Sequence, residues 1–73
     1  MSVRTVSSDA IHWYPSGALA VAEASELGLA PGEWPNTLEV DGTQFNRHWG
    51  DWNTSTVVYQ DFSSGRKITV FDD

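Results

Sequence analysis

The sequence predicts a small, mainly β domain whose strands pair as antiparallel hairpins, in a sheet that is either open or barrel-like. The first observation is the segment TLEVDGTQF, in which Asp41-Gly42 separates two alternating runs. This is the strongest short hairpin signal. The second and third are VVYQDFSSGRKITVF and IHWYPSGALAV, where a glycine-containing turn lies between β-forming runs. A chain of 73 residues is short enough to form a single domain, residues 1–73.

The first turn sets the register of its hairpin. A two-residue loop places Val40 opposite Thr43 and Leu38 opposite Phe45, so these side chains share one face of the sheet. Alternation with a period of two continues that face from Phe45 to Trp49. We therefore expect this face, including Trp49, to belong to the core; the alternative is that Trp49 and Trp52 form an exposed aromatic binding site.

Two registers compete for the second hairpin. A two-residue loop ending at Gly65 sets Asp61 opposite Ile68, whereas a three-residue loop ending at Gly65 sets Asp61 opposite Lys67. We favour the second, because it pairs opposite charges and places Gly65 in the left-handed conformation. The core face of this hairpin would then contain Val58, Phe62, Ile68 and Val70.

The segment HWGDW, residues 48–52, predicts a third turn. Glycine at the first central position suits a type II′ turn, so Gly50-Asp51 would make Trp49 and Trp52 cross-strand neighbours. Trp49 then lies on the same face as the core residues of both hairpins. The opposite face becomes the candidate partner-binding surface, with Tyr59 as its anchor because interface hot spots favour tyrosine. The candidate residues are His48, Asn53, Tyr59 and Phe71.

The N-terminal half allows two interpretations. Its alanine-rich stretch favours a helix ended by Gly28, which gives an α+β alternative with a helix over 17–27 packed on a four-stranded antiparallel sheet. Leu19 and Val21 lie about 200° apart on a helical wheel but on one face of a strand, so we favour a strand. The expected elements are strands at 11–14, 18–23, 37–41, 43–49, 55–62 and 66–71, an edge strand over Val3–Val6 and one helical turn near 24–28.

Composition excludes several kinds of chemistry. The chain has no cysteine, which rules out disulfides, thiolate zinc sites and thiol redox chemistry. His12 and His48 are the only histidines and are far apart in the chain, unlike the short spacings of zinc ligands. No nucleophile elbow or phosphate-binding loop is present. We therefore expect no catalytic residues, no metal and no cofactor, and predict that the protein is not an enzyme.

Charge bears on the class of partner. Ten carboxylates against four basic side chains give a net charge of −6, which disfavours binding to nucleic acid and suits a basic protein surface. No apolar run approaches the ~20 residues of a membrane span, and no signal peptide is visible. We therefore expect no membrane partner and a cytoplasmic location.

Two regions of the chain resemble a known group of proteins. The run EASELGLAPGEWP, the hairpin after it and the ending GRKITVFDD resemble small bacterial and phage proteins of unassigned activity, over residues 22–41 and 57–73. The resemblance implies a phage or mobile-element setting and a β-rich fold.

These observations favour a non-enzymatic, acidic protein-binding module that inhibits or modulates a host protein complex. The alternative is a structural or assembly accessory protein that self-associates through an exposed strand edge. A nucleic-acid-binding β domain is disfavoured because the cations that contact phosphates are few.

Overall fold

The computed structural model describes residues 3–30, 32–51, 53 and 55–72, which form one curled, seven-stranded sheet. The strands lie side by side in the order β1-β4-β5-β6-β7-β3-β2, as a half-barrel. The mainly β class is confirmed. The alternative helix over 17–27 is wrong, because Leu19–Glu23 in the middle of that segment form a strand. The strands are β1 (Val3–Val6), β2 (Ile11–Trp13), β3 (Leu19–Glu23), β4 (Thr37–Val40), β5 (Thr43–Asp51), β6 (Thr56–Asp61) and β7 (Arg66–Phe71).

The predicted hairpins are present, together with two parallel pairs. β2–β3, β4–β5, β5–β6 and β6–β7 are antiparallel. β1 pairs in parallel with β4, and β3 with β7, so Val3–Val6 is the expected edge strand. A hairpin signal is local, whereas these parallel pairs join segments far apart in the chain. The sheet is therefore mixed.

The curl of the sheet follows from its connectivity. β1 and β2 lie at opposite edges of the strand order, yet only residues 7–10 separate them in the chain, including a 3₁₀ turn at Ser8–Ala10. Five chain steps from Val6 to Ile11 reach at most about 18 Å. Six strand spacings in a flat sheet would hold the edges about 29 Å apart. The sheet must therefore bend until its edges approach each other.

The first hairpin has the predicted register. Val40 pairs with Thr43, and Leu38 pairs with Phe45. Asp41 and Gly42 have φ values of 51° and 82°, the two successive positive values that define a type I′ turn. The hairpin turning near Pro15–Gly17 is also present, since β2 and β3 pair antiparallel.

The second hairpin has a different register from the one predicted. Asp61 pairs with Arg66, not with Lys67, so the loop has four residues and Phe62 is its first. The carboxylate of Asp61 explains the longer loop. It accepts hydrogen bonds from the backbone N–H and Oγ of Ser63 and from the Oγ of Ser64. Gly65 has the predicted positive φ, at 78°.

The concave face of the sheet, called the inner face below, carries the core. The predicted core residues Leu38, Val40, Phe45, Ile68 and Val70 are buried there. Three other predictions for this face are wrong: Val58 is half-buried, and Trp49 and Phe62 are exposed. In β6 the inner positions belong instead to Val57, Tyr59 and Asp61, as their pairing with Val70, Ile68 and Arg66 requires.

A connector, residues 24–36, covers this inner face. It begins with hydrogen-bonded turns at the position of the predicted helical turn, where Gly28 has φ 79° and the N–H of Leu29 donates to the carbonyl of Ala24. Leu29 is buried and Trp34 packs against the core. Burying these two large apolar side chains fastens the connector to the sheet. The described residues contain no helix long and apolar enough to cross a membrane.

Candidate functional site

Trp49 lies on the surface because β5 contains an extra residue. Arg47 pairs with Tyr59 and Trp49 pairs with Val58, so His48 is unmatched and forms a β-bulge. The bulge reverses the alternation that carries Phe45 to the inner face. Trp49 is consequently 54% exposed on the convex, outer face. The prediction that it belongs to the core is wrong.

The predicted turn at Gly50-Asp51 is also wrong. Gly50 pairs with Val57 and Asp51 pairs with Thr56, so both residues continue β5. The chain turns after them, and the N–H of Asn53 donates to Oδ1 of Asp51 at 3.0 Å. Trp52 lies outside the described residues, and so does its predicted pairing with Trp49.

Apolar side chains collect on one half of the outer face. Trp49, Val58, Thr69 and Val21 are successive partners across β5, β6, β7 and β3. Leu19, at 47% exposure, lies two residues along β3 on this face. Leu19, Val21, Trp49, Val58 and Phe71 are called the outer patch below.

The outer patch is smaller than one partner's share of a standard interface and corresponds to its apolar centre alone. Across the strands, the row from Trp49 to Val21 covers three strand spacings, about 14 Å. Along the strands, the distance from the row of Leu19 to the row of Phe71 is four residues, about 13 Å. The resulting area of roughly 200 Å² compares with about 800 Å² per partner in a standard interface, whose centre is apolar and whose rim is polar. The other half of the same face supplies polar side chains: Thr5, Thr37, Glu39, Gln44, Asn46 and Gln60.

Acidic groups border the outer patch. Asp51, Thr56, Phe71 and Glu23 form the next row of partners, so a carboxylate lies on each side of Phe71. Lys67, which pairs with Leu19, lies at the other end. The patch is therefore an apolar area with an acidic border and one neighbouring cation.

The other three cations make contacts elsewhere. Arg4 pairs with Glu33 at 2.6 Å. The guanidinium of Arg66 lies 5.1 Å from the ring centroid of Trp13 and 5.4 Å from that of Phe45, a cation–π arrangement. Arg47 donates through Nη1 to a connector carbonyl at 2.9 Å. All three groups therefore make their contacts within the fold.

The structure disperses the four residues predicted as a partner-binding surface. His48 is exposed in the bulge, with its ring edge-on to Phe62 at 5.7 Å between centroids. Asn53 is exposed beyond β5, and Phe71 is 38% exposed on the outer face. Tyr59 is fully buried on the inner face, so its predicted role as surface anchor is wrong.

Tyr59 has a structural role instead. Its Oη donates to the carbonyl oxygen of Pro35 at 2.6 Å and so fastens the connector to the sheet. Burial raises the pKa of Tyr59 to about 12, although the nearby Arg47 charge acts in the opposite direction. The phenol therefore stays protonated and keeps its donor at neutral pH.

Asp61 is a carboxylate whose surroundings lower its pKa. Hydrogen bonds from Ser63 and Ser64 hold the pKa of Asp61 below its usual value, so Asp61 is an ionised cap for its loop. These hydrogen bonds give Asp61 a structural role.

Among the described residues, no group of three His, Asp or Glu side chains is arranged to hold a metal ion.

Most of the outer patch was not predicted from the sequence, although β3 carried a signal for it. Leu19 and Val21 alternate there with Ala20 and Ala22. The alanines are the buried residues, at 1% and 2% exposure, because small side chains suit the inside of a strongly curled sheet. Large residues alternating with alanine in a strand can therefore mark the outer side.

Comparison with protein-family models, with curated proteins and with solved structures found no match to this chain.

Proposed function

We propose that the protein is a non-enzymatic binding module that docks a partner protein on the outer patch. The observation that carries the proposal is the segregation of one sheet face into an apolar and a polar half, with Trp49 exposed at the margin of the apolar half. Single exposed apolar residues are ordinary, but here four adjacent strands place apolar side chains close together with polar groups at the rim, the arrangement of an interface centre. Tryptophan is among the residues that contribute most to binding when an interface covers them.

The charges favour a basic partner surface. The net charge is −6, and Glu23 and Asp51 lie in the row that contains Phe71. Three of the four cations are engaged in contacts within the fold. A partner with an apolar centre and lysine or arginine at its rim would be steered to the patch and held in register. The same distribution disfavours nucleic acid, which needs available cations.

The resemblance to small phage and bacterial proteins supplies the setting of the proposal. In that setting, the partner would belong to a host protein complex that the module inhibits or modulates. A small domain can do this by covering a surface that the complex needs. The competing role is self-association as an assembly accessory protein, which the shared charge of −6 opposes by repulsion between copies.

The test compares two exposed aliphatic residues on the same face. Leu19 and Val3 are 47% and 46% exposed, but Val3 lies on β1, separated from the patch by polar residues. Tagged wild type, Trp49→Ala, Leu19→Ala and Val3→Ala would be used to capture proteins from a bacterial host lysate. Affinity for the captured protein would then be measured by titration.

We expect Trp49→Ala to weaken binding about 30-fold or more, as for a hot-spot truncation of ~2 kcal/mol. Leu19→Ala should weaken it less, and Val3→Ala should bind as the wild type does. Equal affinity of all four proteins would overturn the proposal. A concentration-dependent dimer in size-exclusion chromatography that Trp49→Ala disperses would assign the patch to self-association.

A further inference from the structure

β5 extends beyond its neighbour on one side. β4 pairs with β5 only from Thr43 to Asn46, whereas β6 pairs with it as far as Asp51. The last contact on the β4 side is the N–H of Arg47, which donates to the carbonyl of Asn36 at 2.8 Å. Within the part of the chain that the structure describes, nothing pairs with the β4 side of residues 48–50.

Pro35 lies at the end of the connector, just before β4 begins. Proline has no backbone N–H, so it cannot continue a ladder. The carbonyls of Trp34 and Pro35 are held by inner-face side chains, accepting from Nη1 of Arg47 at 2.9 Å and from Oη of Tyr59 at 2.6 Å. These two bonds hold the connector on the inner face, so residues 48–50, called the open edge below, have no strand partner on the β4 side among the described residues.

A groove accompanies the open edge. It has a volume of about 220 Å³ and is lined by Arg47, His48, Trp49, Gly50 and Val57. Gly50 pairs with the inner-face residue Val57 and contributes no side chain of its own. Side chains of a strand alternate between faces. A strand added here would thus direct one side chain into the groove and its neighbours toward the outer face beside Trp49 and Asp51.

We propose that the open edge binds an extended peptide segment of the partner as an additional β-strand. The segment carries an apolar side chain for the groove and basic side chains on either side of it. The basic preference follows from the Asp51 carboxylate at the end of the edge and from the net charge of −6. Backbone hydrogen bonds supply affinity in this mode, and pockets for alternate side chains supply specificity.

This inference rests on the proposed function and deepens it, because Trp49 borders both the outer patch and the open edge. A second copy of this chain is the less suitable occupant. It would bring a second charge of −6 to a short edge, and like charges oppose such pairing. The peptide partner is distinguished by its chemistry, since it must be both extended and basic.

The probe is a terminally blocked ten-residue peptide that alternates lysine with valine, titrated into the isotope-labelled protein and followed by NMR. Two control peptides separate the contribution of backbone hydrogen bonding from that of charge. In one, every backbone nitrogen is methylated, which keeps the side chains and removes the donors. In the other, glutamate replaces lysine, which keeps the strand propensity and reverses the charge.

We expect the largest amide shifts at residues 48–50, slowed exchange of amides there, and interstrand backbone contacts between peptide and β5. Both control peptides should bind at least tenfold more weakly. No binding at millimolar peptide would overturn the inference, as would equal binding of the methylated peptide. Peptide contacts confined to Val21, Val58 and Phe71 would overturn the strand addition while leaving the outer patch as the docking surface. Contacts across the open edge between two copies, before peptide is added, would assign the edge to self-pairing.

Discussion

Replacing Tyr59 with phenylalanine removes one oxygen atom from the centre of the domain. The ring of Tyr59 is fully buried, and its Oη donates to the carbonyl of Pro35 at 2.6 Å. Phenylalanine keeps the ring and leaves that carbonyl without its partner. A hydrogen bond contributes about 0.5–1.5 kcal/mol net, and a buried polar group left unpaired costs about 1–3 kcal/mol. We therefore expect the free energy of unfolding to fall by about 1–2 kcal/mol.

Urea unfolding monitored by tryptophan fluorescence measures this loss. Small proteins have denaturant slopes near 1 kcal/mol per molar urea at the lower end, so the midpoint should fall by about 1–2 M. A domain of this size is stable by only about 3–5 kcal/mol, which makes the change a large fraction of the total. The matched control is Tyr14→Phe, because Tyr14 is 49% exposed and its phenol can bond to water.

High pH provides a second readout of the same group. Burial raises the pKa of Tyr59 from 10.0 to about 12. The unfolded chain therefore releases this proton first, and the stability that the protonated phenol contributes below pH 10 is lost as the pH rises to about 12. Tyr59→Phe has no such proton, so its difference in stability from the wild type should narrow across that range. A variant as stable as the wild type at neutral pH would refute the buried hydrogen bond.

Three further changes test other parts of the fold. Asp61→Asn should flatten the acid dependence of stability in unfolding curves. The folded-state pKa of Asp61 lies below 3.8, so its contribution is present above that pH and lost as the pH falls. Gly42→Ala should cost about 1 kcal/mol in urea unfolding, because φ is 82° there; full stability would contradict the type I′ turn. Deleting His48 should preserve the fold and keep Trp49 opposite Val58 in cross-strand NMR contacts, since His48 is the unmatched residue. Loss of folding would contradict the bulge.

Local turn chemistry made much of the sheet predictable. Asp41-Gly42 predicted both the turn and its register, because successive positive φ values are accessible to few residue pairs. The strand at β3 was predictable because Leu19 and Val21 fit the period of a strand and not that of a helix. The parallel pairs were not predictable in this way, since no local signal links Val3–Val6 with β4 or β3 with β7.

The register predicted for the second hairpin was wrong for an energetic reason. The prediction relied on an exposed pair between Asp61 and Lys67, and such cross-strand pairs contribute about 0.2–1 kcal/mol. The structure instead uses the Asp61 carboxylate to accept hydrogen bonds from Ser63 and Ser64. Hydrogen bonds to a charged group are stronger than those between neutral groups, so the carboxylate caps its own loop instead of pairing with Lys67. The serines after Asp61 carried this signal.

The candidate site was mispredicted through a single residue. Period-two reasoning assigns Trp49 to the face of Phe45, and one extra residue at His48 reverses that assignment for everything beyond it. No residue type marks a bulge as clearly as Asp-Gly marks a turn. The same bulge turns Trp49 out to the surface, and it lies where Pro35 ends the pairing with the connector. An exposed tryptophan and an open strand edge therefore coincide, because both begin where the regular ladder of β5 is interrupted. The β-bulge at His48, which made the prediction of the core wrong, therefore also creates the proposed binding surface.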